Sequence, residues 1–178
     1  RLLPFYSHEK EPGEESWWYG WPLLKREVKE TGGMQRRRMT LLYFLFRDDQ
    51  RTAGDQSSRQ TLLWPLLGYW HLEGQRRQWQ VLDPLSIFFP GNEKVRETWS
   101  PLFALYRYDR REASVRHSFL WNLFVWKSRD AEAHEFYFGP LFQWVSQPEE
   151  SSWKILNGFL GWSGEGSSGH WKFFWHEF

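Results

Sequence analysis

A short apolar phrase recurs about every nineteen residues along this 178-residue chain, with charged segments between its copies. It reads Leu3-Pro4-Phe5, Trp21-Pro22-Leu23-Leu24, Trp64-Pro65-Leu66-Leu67, Asp83-Pro84-Leu85, Ser100-Pro101-Leu102-Phe103 and Gly139-Pro140-Leu141-Phe142. Looser copies stand at Tyr43-Phe44-Leu45-Phe46, Trp121-Asn122-Leu123-Phe124 and Asn157-Gly158-Phe159-Leu160, and Trp171-Lys172-Phe173-Phe174-Trp175 makes a tenth. Such a period means that one small structural unit is used many times, which restricts the architecture before any single residue is considered.

The runs between breaks are short and rich in Phe, Trp, Tyr and Leu, too short and too closely spaced for helices. Turn residues separate them at Glu11-Pro12-Gly13-Glu14, Glu30-Thr31-Gly32-Gly33, Ala53-Gly54-Asp55, Glu73-Gly74-Gln75, Pro90-Gly91-Asn92 and Gly164-Glu165-Gly166. The pattern predicts an all-β chain: an antiparallel meander of about ten strands, one per copy, in a curved sheet that closes into a barrel or packs as a sandwich. Residues 1–178 read as a single β-repeat domain, and the start on Arg1 without Met reads as a fragment or processed form of a longer chain. The repeated prolines are expected to mark a bend or bulge where each strand enters its apolar half.

Period two sorts the phrase into faces. Two residues after the Pro position stand Tyr6, Leu24, Phe46, Leu67, Ser86, Phe103, Phe124, Phe142 and Leu160, and four after it Tyr69, Phe88, Leu105, Trp126, Trp144 and Trp162, an almost wholly apolar set. The constant Leu or Phe one after the Pro position falls on the opposite, mixed face. An apolar face of this kind needs a neighbour, either membrane lipid or protein partner subunits. For a transmembrane barrel, alternating strand direction would place the rings at both membrane interfaces in turn. Against a barrel stand the prolines, the leucines of the mixed face, the charges Lys25, Arg26 and Asp48 close to the early copies of the phrase, and turn lengths that do not alternate between short and long.

Aromatic residues make up 20% of the chain, 14 of them Trp, although mean hydropathy is −0.71. Lys and Arg (23) nearly balance Asp and Glu (22) and mix within the same turns, so no nucleic-acid partner is expected. The chain has no cysteine, which excludes disulfides and thiol chemistry. No His-x-His pair, Gly-x-Ser-x-Gly, phosphate loop or dinucleotide fingerprint is present, so no catalytic residue, metal or cofactor is predicted. Asp83 alone is a carboxylate set inside an apolar run, and it has no visible catalytic partner. Two clusters are candidate contacts. Trp17, Trp18 and Trp21 are the densest aromatic group and could stack on a glycan or a partner. Arg36, Arg37 and Arg38 are the densest basic run and suit anionic headgroups, although alternate arginines of a strand face opposite sides.

Trp64-Pro65-Leu66-Leu67-Gly68-Tyr69 and Pro101-Leu102-Phe103-Ala104-Leu105-Tyr106-Arg107 resemble a loosely defined group of bacterial envelope proteins that repeat a W/L-P-L-F-x-Y phrase between Arg/Asp/Gly turns. The resemblance implies a bacterial cell envelope, outer membrane or periplasm, and a non-catalytic structural or scaffold role. The expected function is a subunit of a larger assembly or an outer-membrane β-barrel; the alternative is a glycan-binding β-module using exposed Trp residues.

Overall fold

The computed structural model describes residues 5–72, 76–89, 92–130, 132–165, 168–174, 176 and 177. Of the features expected from sequence, Leu3-Pro4, Glu73-Gly74-Gln75, Pro90-Gly91, Gly166 and Trp175 lie outside the described residues.

The apolar phrases are turns. The Leu23 N–H donates to the Gly20 carbonyl at 2.7 Å, Leu66 to Leu63 at 2.8 Å, Leu123 to Leu120 at 2.9 Å and Leu141 to Phe138 at 3.0 Å. These are the bonds that close four-residue β-turns, and Pro22, Pro65, Asn122 and Pro140 each stand third in theirs. A turn fixes φ there and asks for no N–H, which is what proline supplies. Trp121 and Asn122 have φ of +55° and +68°, the primed hairpin turn whose twist matches its flanking strands.

Between successive phrases, except from Asp83-Pro84-Leu85 to Ser100-Pro101-Leu102-Phe103, the chain makes a complete hairpin, giving eight. They are β1 (Tyr6–Glu11) with β2 (Glu14–Tyr19), β3 (Leu24–Thr31) with β4 (Met34–Leu41), β5 (Phe46–Ala53) with β6 (Gln56–Leu63), and β7 (Leu67–Leu72) with β8 (Arg76–Val81). There follow β9 (Tyr106–Arg111) with β10 (Ser114–Phe119), β11 (Phe124–Arg129) with β12 (Ala133–Phe138), β13 (Phe142–Ser146) with β14 (Glu150–Ile155), and β15 (Leu160–Glu165) with β16 (Ser168–Phe173). A two-residue β17 (His176–Glu177) pairs with the end of β16.

The sheet is therefore an antiparallel meander, but of sixteen strands and a short seventeenth rather than ten. Each period holds two strands because nineteen extended residues would span roughly 60 Å, and the charged mid-period turn folds that length in half. The prolines sit at turns and not at strand bulges, so the apolar phrases that join consecutive hairpins lie along one rim and the charged turns along the other. Rings of the phrase consequently do not alternate between two ends. Among the described residues β1 pairs only with β2, and β17 only with β16, so the sheet is an open single layer, neither a closed barrel nor a sandwich.

Register assigns the faces. Tyr6, Tyr19, Leu24, Leu41, Phe46, Leu63, Leu67, Val81, Tyr106, Phe119, Phe124, Phe138, Phe142, Ile155, Leu160 and Phe173 pair in succession across sixteen strands as one apolar row. Beside it on the same face run Trp126, Phe136, Trp144, Trp153, Trp162 and Trp171. His8, Arg26, Asp48, Thr61 and His117 interrupt this second row, and the next row on the same face carries Arg37, Arg59, Arg77 and Arg110. Arg26 lies 5.5 Å over the Trp17 ring, and Asp48 accepts from Arg59 and Thr61. The opposite face carries cross-strand charge ladders such as Glu27, Arg38 and Asp49, and Asp109, Arg116, Lys127 and Glu135.

Burial is inverted relative to a water-soluble sheet. Every buried non-glycine strand residue among those described lies on the polar face: Ser7, Asp49, Leu62, Trp70, Gln78, Gln80, Arg107, Ser118 and Val125. Tyr19, Leu41, Leu67, Phe119, Trp126 and Trp171 of the apolar face are exposed. Soluble proteins do the reverse with their large apolar residues.

One long connection breaks the meander, between β8 and β9. The sequence predicts strands from Asp83-Pro84-Leu85 and from Ser100-Pro101-Leu102-Phe103; the two copies instead bracket the helix α1 (Glu93–Thr98) and a 3-10 turn at Ser100–Leu102. The Asn92 side chain caps α1 by accepting from the Val95 N–H at 3.1 Å, and Arg96 pairs with Glu93 one turn away at 3.0 Å. The connection lies on the polar face. Gln80 Nε2 donates to the Ser100 carbonyl at 3.2 Å, Arg107 Nη1 to the Arg96 carbonyl at 2.6 Å, and Arg76 Nη1 to Glu97 Oε1 at 2.6 Å.

Candidate functional site

The hairpins β2–β3 and β4–β5 bring charge and rings together on the polar face. Pairing places Trp18, Lys25, Thr40 and Arg47 in one row, and Ser16, Glu27, Arg38 and Asp49 in the next. The turns at Pro22 and Tyr43 close the rim end of a groove of about 350 Å³. Trp18 and Tyr43 form its aromatic wall, with ring centroids 6.2 Å apart, and the Lys25 ammonium stands 4.8 Å above the Trp18 ring.

Asp49 is held by Arg36 Nε at 2.9 Å and Arg36 Nη2 at 2.5 Å, a two-pronged pair, with Arg38 behind it at 3.2 Å. Glu27 pairs with Lys25 and lies 3.6 Å from Arg38. Arg47 reaches Asp49 only at 3.5 Å, and its buried Nε has no hydrogen-bond partner among the described residues.

The expected clusters are divided by this geometry. Trp17 is on the apolar face, stacked on His8 at 5.3 Å; Trp18 is in the polar groove; Trp21 is in a rim turn, 54% exposed and edge-on to Tyr43 at 6.4 Å. The three do not form one platform. Arg36 and Arg38 point to the polar face and hold Asp49, whereas Arg37 pairs across the apolar face with Val28 and Gln50. Sequence reasoning did not single out Lys25, Tyr43 or Arg47. A turn centred between Trp21 and Pro22 pairs Trp18 with Lys25, so treating the phrase as a turn was the signal that would have found them.

A second polar cluster lies beneath the β8–β9 connection. Asp83 is 1% exposed; the Ser100 hydroxyl donates to its Oδ1 at 3.3 Å, and its Oδ2 has no partner among the described residues. Burial pushes the Asp83 carboxyl above the usual carboxylate range, opposed by the bonds from Ser100 and Ser86 and by the Arg107 charge. The folded chain thus keeps a proton that the unfolded chain has already released, and stability falls as pH rises from about 3.8 through the raised value. Asp83→Asn is expected to flatten this dependence and to leave the protein more stable than wild type at neutral pH. Unfolding midpoints of both proteins across pH 3–8 check it.

Among the described residues no group of three or more His, Asp or Glu side chains could hold a metal ion, and no helix is long and apolar enough to cross a membrane. No family model matches the chain, and comparisons with curated proteins and with solved structures found no similar protein.

Proposed function

We propose that this chain is a non-catalytic wall of an outer-membrane β-barrel in a bacterial envelope, its apolar face turned to lipid and its charged face turned inward. One observation carries the reading: the buried non-glycine strand side chains, found on eight strands from β1 to β11, all lie on the polar face, whereas every exposed Trp, Tyr, Phe and Leu of the described strands lies on the apolar one. That is the arrangement of a barrel in lipid, where outward residues are apolar and inward ones polar along every strand. The two rows and the rim turns make a band of roughly six residues, or about 20 Å of strand. The exposed Trp21, Tyr43 and Trp121 on the rim suit the aromatic girdle at a membrane interface.

Two of the features that spoke against a barrel have changed place, while Arg26 and Asp48 stay on the apolar face, Arg26 over the Trp17 ring and Asp48 paired with Arg59. The prolines are in turns, and Leu23, Leu66, Leu123 and Leu141, expected on an inward face, are in the rim turns with them. Backbone groups left open at β1 and β17 cannot stay unpaired in hydrocarbon, so these two edges pair with one another or with further strands in the inserted state.

Membrane partitioning tests the reading. The full chain, expressed with an export signal in a Gram-negative host, is expected in the outer-membrane fraction after an alkaline carbonate wash and to be released by detergent. Recovery in the carbonate supernatant would overturn the lipid-facing assignment and favour a protein partner on the apolar face.

A further inference from the structure

We infer that the groove between β2 and β5 on the polar face binds an acidic sugar, its phosphate or carboxylate held by Lys25 and Arg47 and its ring set against Trp18 and Tyr43. The site requires only the pairing of β2 to β5, and stands whether or not the apolar face meets lipid.

Charge is the first reason. Lys25, Lys29, Arg36, Arg38, Arg47 and Arg51 share this stretch of the polar face with the carboxylates Glu14, Glu27 and Asp49, and Lys29 pairs with Glu14 at 2.8 Å at the end away from the groove. Arg36 already saturates much of Asp49 through its two-pronged contact, and Glu27 is divided between Lys25 and Arg38. The cationic surplus therefore falls on the groove, at Lys25 and above all at Arg47. A guanidinium held among other cations, with one N–H unpaired inside the protein, is a costly arrangement in the empty state. An oxyanion in the groove would relieve it with charge-assisted hydrogen bonds.

Shape is the second reason. A groove of about 350 Å³ is larger than a bare phosphate needs, and matches a single hexose with an acid substituent. The wall that remains once the cations are engaged is aromatic: Tyr43 is 56% exposed, and the Trp18 ring lies beside it. Aromatic rings offer a flat apolar surface to the C–H side of a sugar, and Thr40, in register between Lys25 and Arg47, adds a hydroxyl for ring oxygens. The groove opens on the face bearing the charge ladders, so an anionic solute passing along that face would meet it.

Calorimetric titration of the full chain with glucose 6-phosphate, glucuronate, glucose and inorganic phosphate tests the proposal. Detergent is used if the protein requires it. Binding of glucose 6-phosphate, glucuronate or both, each at least tenfold tighter than glucose and inorganic phosphate, is the expected result. Which of the two binds tighter identifies the acid group. Lys25→Gln and Arg47→Gln are expected to weaken that binding at least tenfold each, Arg47→Lys less, and Arg129→Gln, on a remote strand of the same face, not at all. Circular dichroism checks that each variant keeps its sheet, and Tyr43→Ala, in an exposed turn, provides a second arm that leaves the ion pairs intact. Equal affinity for phosphate and glucose 6-phosphate with no loss in Tyr43→Ala would overturn the sugar assignment. Absence of binding to any acid, or binding unchanged in Arg47→Gln, would overturn the site itself. Neither result depends on where the protein partitions.

Discussion

Truncating Trp70 to alanine is expected to cost about 3–5 kcal/mol, the range for removing a fully enclosed aromatic side chain. Trp70 is 2% exposed, one of very few apolar side chains that this single-layer protein buries. Its ring folds back over Gly68, where an added Cβ would lie 2.3 Å from the ring and 3.0 Å from Asp83 Oδ2. Arg96 of α1 covers it from above at 5.9 Å. Removing the ring thus unseats the connection between β8 and β9 as well as leaving a cavity, and limited proteolysis should open that connection first. Gly68→Ala alone should cost about 1–3 kcal/mol, because the new methyl must push the ring aside. In a Trp70→Ala background the same methyl enters vacated space, and most of that cost should vanish. Urea titrations of the two single variants and the double variant measure this coupling. Strict additivity would show that the ring is not held against Gly68.

The β class and the apolar face were legible because they depend on local alternation. Leu24, Phe46, Leu67, Phe124, Phe142 and Leu160, placed on one face from their distance to the Pro position, do form a single row. Tyr69, Trp126, Trp144 and Trp162 join them on that face, but Ser86, Phe88, Phe103 and Leu105, assigned to it by the same distances, lie in the connection between β8 and β9 and in no strand. The other half of each hairpin was missed. Tyr19, Trp153 and Trp171 reach the same face by cross-strand pairing, at offsets from the phrase that differ between copies because the charged turns differ in length. A proline between apolar residues reads equally as a strand bulge or as the third residue of a turn. Only the bond from Leu23 N–H to the Gly20 carbonyl, and its equivalents, decides between them. The helix escaped notice for a related reason: Glu93–Thr98 is a six-residue helix between two copies of a strand-like phrase, too short to show a period of its own. Of the candidate site, Trp18 and Arg38 were legible by composition. Their meeting with Lys25, Tyr43 and Arg47 depends on two consecutive registers, which no local pattern contains.

Neighbouring residues of β14 allow the two faces to be compared under nearly identical conditions. Trp153 pairs with Trp144 and Trp162 on the apolar face, and Ser152 pairs with Val145 and Ser163 on the polar one. Trp153→Arg is expected to reduce membrane insertion by about 2–4 kcal/mol, the cost of a basic side chain on the lipid face near the middle of a barrel wall. That is a loss of at least tenfold in the correctly assembled fraction. Ser152→Arg adds the same charge one residue away, onto a face already carrying Lys154 and Arg129, and should assemble like wild type. The readout is the carbonate-resistant, protease-protected fraction of each variant in outer membranes. Two effects can be separated in the result. Loss of Trp153 also removes its edge contact with Trp171, whose centroid is 5.9 Å away, and Trp153→Leu controls for that contact without adding charge. If Trp153→Arg fails while Trp153→Leu and Ser152→Arg both assemble, the penalty belongs to charge on the apolar face. Equal assembly of all three would mean that this face meets water, and the lipid-facing reading would fall.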